Sequence, residues 1–161
     1  PEGWKLFGSV GYAKSKLSGN NSLLSTQPLK VIAGVDYESP SEKWGVFSRL
    51  TYFGAKKAKD AQYTVFENTG WGTPLQEKVV DYPWLNKSAY VFDMYGFYKP
   101  VKNLTLRAGV YNVFNRKYTT WDSLRGLYSY STTNSVDKDG KGLDRYRAPG
   151  RNYAVSLEWK F

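Results

Sequence analysis

The chain lacks the side chains that the commonest proton-transfer and thiol chemistries use. Its 161 residues include no histidine and no cysteine. The commonest general base and metal ligand are therefore missing. No Ser-His-Asp or Cys-His arrangement, zinc–thiolate site or disulfide can be built. One acidic stretch invites a metal: Asp137, Asp139 and Gly140 in "DKDGKG" fit the third, fifth and sixth positions of a calcium loop. That alignment puts Ser135 first and Tyr146 twelfth, where a bidentate glutamate is required. A polar turn suits these residues better. With no nucleophile–base pair in view, the sequence reads as a non-enzyme without a catalytic or metal site.

What remains is recognition chemistry. The stretch from Tyr118 to Gly150 holds Trp121, Arg125, Tyr128, Tyr130, Arg145 and Arg147, the residue types that dominate interface hot spots. They could meet a protein surface. Alternatively the rings sit at a lipid interface and the arginines pair phosphates or neighbouring carboxylates, since arginine suits both. Trp71 and Trp84 stand among glycines and prolines between Lys57 and Lys87, as a binding tip or as a loop packed on its neighbours. The net charge of +9 asks for an anionic partner: nucleic acid, acidic protein or lipid phosphate. Charge alone does not choose.

The elements that must position these residues are strands. In "NYAVSLEWKF", Tyr153, Val155, Leu157, Trp159 and Phe161 alternate with Asn152, Ala154, Ser156, Glu158 and Lys160, which argues a strand with one apolar face. Five more stretches alternate in the same way: Gly3 to Leu17, Pro28 to Ser39, Lys43 to Lys56, Ser88 to Lys99 and Asn103 to Lys117. Almost nothing reads as helix. The strands predicted here are longer than those of ordinary globular sheets and suit a tilted membrane-crossing strand. The negative mean hydropathy does not oppose this, because barrel strands alternate and give a weak signal per segment.

The connections add a second pattern. "SPSE" and "PVK" are short, proline-marked turns, whereas Ser18–Gln27, Lys57–Lys87 and Tyr118–Gly150 are long. Short and long alternate strictly, as in an outer-membrane barrel with tight periplasmic turns and long external loops. Aromatic residues gather near the expected periplasmic rim: Trp4, Tyr37, Trp44, Tyr98, Trp159 and Phe161. The opposite face carries Asp36, Arg49, Asp93, Arg107 and Glu158, costly in a small packed core but tolerable beside water.

On these residues the chain resembles a known family. "LTLRAGVYNVFNRKYTTWDSLRGLYSY", "GLDRYRAPGRNYAVSLEWKF" and "DYPWLNKSAYVFDMYGFYKPVKNL" resemble the C-terminal end of TonB-dependent outer-membrane receptors. Within that superfamily they are most similar to the hemoglobin and hemoglobin–haptoglobin receptors. "GFYKPVKNLTLRAGVYNVFNRKY" is shared across the superfamily, and "RYRAPGRNY" with the related transferrin receptors.

The resemblance implies an all-β fold, an antiparallel meander of about six long strands. It would be the C-terminal part of a transmembrane β-barrel of about 22 strands. Residues 1–161 would then be that portion alone, a mature piece or excised fragment without plug or earlier strands. The first and last strands would be unpaired edges.

The implied function is uptake of haem or iron from host hemoglobin or hemoglobin–haptoglobin at the bacterial outer membrane. Haem would be cargo, with no cofactor bound by this segment. TonB would act through the missing N-terminal part. Other implied partners are outer-membrane lipid, lipopolysaccharide and the outer-membrane assembly machinery, but not nucleic acid. The machinery would read Tyr153, Val155, Leu157, Trp159 and Phe161 as its signal. Other readings are a transferrin-type or siderophore receptor, a soluble β-sandwich carbohydrate-binding module, and a small complete barrel.

Overall fold

The computed structural model describes residues 2–14, 22–127 and 136–161. Its strands are β1 (Trp4–Gly11), β2 (Lys30–Glu38), β3 (Trp44–Phe53), β4 (Gln62–Glu67), β5 (Gln76–Asp81), β6 (Ala89–Val101), β7 (Leu104–Tyr111) and β8 (Asn152–Trp159). Two helical turns, α1 (Ser22–Ser25) and α2 (Trp121–Leu124), lie in the long connections. Six strands form one antiparallel sheet in the order β1-β2-β3-β6-β7-β8. The strands expected from the sequence are the strands observed, in neighbour order. Among the described residues β1 and β8 each have one partner, so the sheet is open.

Three differences from the expectation occur. The first strand, expected from Gly3 to Leu17, stops at Gly11, and positions 15–17 lie outside the described residues. The middle connection is not a plain loop, because β4 and β5 form a separate antiparallel hairpin within it. The fifth strand stops at Tyr111 rather than Lys117. Asn112 has a φ of 52°, a left-handed conformation that ends a strand and that asparagine tolerates. The short turns behave as their residues require. Pro40 occupies the second position of a turn closed by Glu42 N donating to Ser39 O at 2.8 Å, where its fixed φ fits. Pro100 sits where the β6–β7 register shifts between Tyr98 and Val101, so its missing N–H interrupts little of the ladder.

The register sorts side chains onto two faces. On one face Leu6 stands opposite Val35, Ala33 opposite Leu50, and Leu50 opposite Phe92. Further along, Met94 opposes Val110 and Val110 opposes Tyr153, with Leu106 against Leu157. Most of this face is exposed, Leu6 at 85% and Val155 at 81%. It is continuous across the sheet, far beyond the scattered apolar patches of water-soluble monomers. Hydrocarbon is the solvent that suits it.

Rings bound that face at both ends. Beside the short turns, Trp4 packs on Tyr37 at 4.9 Å and Tyr37 on Trp44 at 5.2 Å. At the loop end, Tyr52 packs on Tyr90 at 4.9 Å. On β3 and β6 the two belts are eight residues apart, Trp44 to Tyr52 and Tyr98 to Tyr90. At ~3.3 Å per residue that is ~26 Å along the strand. A tilt near 40° leaves ~20 Å of height, close to the apolar band of an outer-membrane barrel.

Met94 lies midway between the belts. In the intact receptor, Met94→Arg is expected to destabilise the barrel by ~2–4 kcal/mol. Thr105→Lys, on the other face beside Glu158, should stay within ~0.5 kcal/mol. Urea unfolding of the two variants in lipid vesicles measures the contrast, and equal effects would refute the assignment of faces.

Candidate functional site

The sheet has almost no core of its own; among the described residues, most of the buried apolar side chains are in the loops. Leu24, Ala61, Tyr82, Trp84, Trp121, Leu124, Leu127 and Val136 form one cluster, with Tyr63, Leu85, Leu143 and Tyr146 packed against it. These residues come from all three long connections. Trp121 is 1% exposed, and its indole Nε1 donates to Leu24 O at 2.8 Å. The Tyr82 ring meets Trp121 at 5.3 Å and Trp84 at 5.9 Å, both edge-to-face, the geometry that ring quadrupoles favour. The Tyr82 hydroxyl faces the carbonyls of Leu124 and Leu127 and accepts from Leu127 N at 3.0 Å.

A buried cation joins the same three segments. Lys56, only 4% exposed, donates from Nζ to Thr26 O and lies 5.0 Å from the Trp121 ring centroid, within cation–π range. Burial pushes its pKa down from the ordinary lysine value, and the Asp60 charge partly offsets this. Asn86 accepts from Lys56 N at 3.0 Å and donates to Gly54 O at 2.9 Å, satisfying the buried backbone on both sides.

This loop core folds over the charged face rather than the apolar one. Thr51, Ala89 and Val91, on the charged side at the outer end of the sheet, are buried. Phe53 stacks on Tyr118 at 5.3 Å. Burial, and secondarily the Asp93 carboxylate, raises the Tyr118 pKa above its usual value. Deeper on that face the Arg49 guanidinium is paired with Asp36 and lies 4.8 Å from the Phe7 ring centroid. Gly34 leaves room for it, since a Cβ there would stand 2.5 Å from Arg49 Nη1. A paired, hydrogen-bonded charge of this kind fits a wet wall.

Above the core projects the β4–β5 hairpin. Gly70 and Thr73 close its tip, with Thr73 Oγ1 donating to Gly70 O at 2.7 Å and Gly70 N to Asn68 Oδ1 at 3.0 Å. Trp71 stands fully exposed on that turn, with Phe66 and Leu75 exposed near it. Lys78 pairs with Glu67 across the hairpin at 3.1 Å.

The residues named from sequence thus separate. Trp121 and Trp84 are buried supports of the loops and have no surface to offer a partner. Trp71 is presented outward. Arg125 pairs with Asp122 at 2.9 Å and Arg147 with Asp144 at 2.6 Å, while Arg145 is exposed. Tyr128 and Tyr130 lie outside the described residues, as does Ser135 of the calcium-loop alignment. Asp137 spends its carboxylate on backbone, accepting from Asp139 N at 3.0 Å and Lys141 N at 2.8 Å. Among the described residues no group of three potential metal ligands occurs. Tyr153, Val155, Leu157, Trp159 and Phe161 are exposed along the edge strand.

An antiparallel sheet with one lipid-fitted face, one wet face and external loops at one end defines a wall of an outer-membrane barrel. The sequence profile of the TonB dependent receptor-like β-barrel family matches residues 2–113, and the chain belongs to that family, whose members are outer-membrane receptors and transporters.

Among curated relatives, the chain is 40% identical over 151 residues to hemoglobin-haptoglobin-binding protein A of Haemophilus influenzae, covering 93% of this chain and 14% of the relative. It is 38% identical over 161 residues to hemoglobin-binding protein A of the same species, covering 99% and 15%. It therefore spans about a seventh of the length of these relatives. Among solved structures, the copper transporter OprC superposes with a TM-score of 0.62 at 21% identity, covering all of this chain and 21% of that one. The Pseudomonas aeruginosa ferric enterobactin receptor gives 0.58 at 19% identity, with the same two coverages. These structures show the fold.

Trp121→Ala in the intact receptor is expected to cost the loop core ~3–5 kcal/mol. Hydrogen exchange should then accelerate in residues 24–27, 54–61, 82–88 and 121–127 together, leaving the β6–β7 ladder protected. Acceleration confined to residues 121–127 would mean that the three loops do not share a core.

Proposed function

We propose that residues 1–161 are the C-terminal barrel portion of an outer-membrane receptor that draws haem or iron from host hemoglobin or hemoglobin–haptoglobin. The printed names of the Haemophilus relatives support the cargo class. The observation that carries the proposal is the hairpin: a fully exposed Trp71 on a tight turn, held up by a packed base in which Tyr82 N donates to Ala61 O at 2.9 Å. A rigid aromatic anchor of this kind loses little entropy on binding and is typical of protein-recognition hot spots. Exposed Arg145 and Arg147 and half-buried Arg125 are candidates for polar contacts to the same cargo.

In this reading the chain performs no chemical step, and haem is cargo that no residue here holds as a cofactor. The wet wall with Asp36 and Arg49 lines the route, and energy arrives from TonB through parts of the receptor outside this chain. The edge strand β8, with Tyr153, Val155, Leu157, Trp159 and Phe161, is the segment offered to the assembly machinery.

Cells displaying the intact receptor with Trp71→Ala should bind hemoglobin–haptoglobin about tenfold or more weakly, with unchanged receptor at the surface. Unchanged hemoglobin and hemoglobin–haptoglobin binding, together with lost uptake of a ferric siderophore, would replace this reading by a siderophore receptor.

A further inference from the structure

The β4–β5 hairpin has two unlike faces. Tyr63, Val65 and Val80 stand on the inward one, half-buried, where Tyr63 packs against the loop core and meets the Tyr82 ring. The ion pair of Glu67 and Lys78 lies on that side as well. Strand alternation turns Phe66, Val79 and, just before β5, Leu75 the other way. Phe66 opposes Glu77 and Thr64 opposes Val79, so Phe66 and Val79 are diagonal neighbours. They are 65% and 55% exposed, and Trp71 stands at the turn beyond them.

Charge sets the outward face apart. The chain carries +9 overall, yet the outward positions of the hairpin hold Glu77 and Asp81 and no lysine or arginine. Both carboxylates are exposed. Asp81 accepts from Gln62 Nε2 at 2.8 Å, and neither carboxylate has a cation within ion-pair distance among the described residues. Lipid or nucleic-acid phosphates would be repelled here. A second copy docking by two-fold symmetry would bring the same carboxylates together across the axis. A protein surface with lysine or arginine beside apolar side chains satisfies both halves of the face.

We propose, resting on the cargo reading above, that this outward face docks a basic patch of hemoglobin or of its haptoglobin complex. Phe66, Val79 and Trp71 bury apolar side chains of the partner, while Glu77 and Asp81 pair its lysines or arginines. Carboxylates so placed speed encounter and reject partners of the wrong charge. Contacts of that kind weaken with salt, because exposed charges are screened. Apolar burial is not lost in the same way, so the two halves of the face can be told apart.

The test measures hemoglobin and hemoglobin–haptoglobin binding to cells displaying equal amounts of the intact receptor, at low salt and at about 0.3 M NaCl. Glu77→Gln/Asp81→Asn keeps the side-chain shapes and an acceptor for Gln62. It should bind about tenfold more weakly at low salt and lose most of the salt sensitivity of wild type. Glu67→Gln/Asp139→Asn removes equal charge away from this face and should stay within about twofold of wild type. Phe66→Ala should bind about tenfold more weakly with its salt sensitivity kept. Wild-type binding by Glu77→Gln/Asp81→Asn or by Phe66→Ala, unchanged salt sensitivity in the former, or an equal loss in Glu67→Gln/Asp139→Asn would each overturn the proposal. If Trp71→Ala weakens binding while Glu77→Gln/Asp81→Asn does not, the cargo reading stands and the basic-patch docking falls. If Trp71→Ala leaves hemoglobin and hemoglobin–haptoglobin binding intact, both fall.

Discussion

Hydrocarbon offers no partner to a peptide N–H or C=O, so a chain that crosses it as strands must satisfy every backbone group through its neighbours. That constraint fixes the six-stranded ladder, and the ladder's period of two fixes which residue types can follow one another. A single-residue slip would carry Arg49 and Asp36 into lipid and Val35 and Leu50 into water. The ring belts fall at the ends of the apolar stretch for the same reason, because Trp44 and Tyr52 each have one end that favours lipid and one that favours water. Even the positions of irregular backbone follow. Asn112 and Glu42, with left-handed φ, occur only where the strands have left the apolar band.

Freed from that constraint, the loops build the one conventional core among the described residues. Trp121, Tyr82 and Lys56 tie three sequence-distant connections into a single body. A core there is what lets an exposed ring be held in place. Trp71 sits on a hairpin whose base is packed, so its position is set by Tyr63 and Tyr82 rather than by a mobile tether. Packing and presentation are divided between tryptophans of similar local context.

That division explains what could be read from the sequence. Alternation in "NYAVSLEWKF" and its five counterparts reports a property of each strand alone, so order, faces and the short–long rhythm of the connections were legible. Burial of Trp121 depends on Leu24 and Tyr82, 97 and 39 positions away, and no local pattern carries it. The β4–β5 hairpin escaped for a related reason. Its strands are short, its connection exceeds the two-residue turn that announces a hairpin, and Glu67 and Lys78 read as loop charges until the register sets them opposite each other. The pairing of Arg125 and Arg147 did have a signal: Asp122 and Asp144 stand three residues before them, the spacing at which helical turns bring side chains together.

The glycines of the wet face show how the two solvents shape one sheet differently. Gly34 admits the Arg49 guanidinium, and Gly45 admits the Phe97 ring, where a Cβ would stand 2.6 Å from Phe97 Cε1. Large side chains there lie along the sheet over a bare neighbour, which keeps the wall low, and Phe47 and Tyr95 stack in the same layer at 5.3 Å. On the lipid face Leu6, Val155 and Leu157 instead stand away from the backbone into their solvent. A low wall leaves space inside a barrel for whatever must pass or fill it, whereas the outer face has only to match hydrocarbon. An alanine at position 34 or 45 would keep the alternation intact and still be incompatible with the wet wall, so the sequence encodes the lumen through its small residues as much as through its charges.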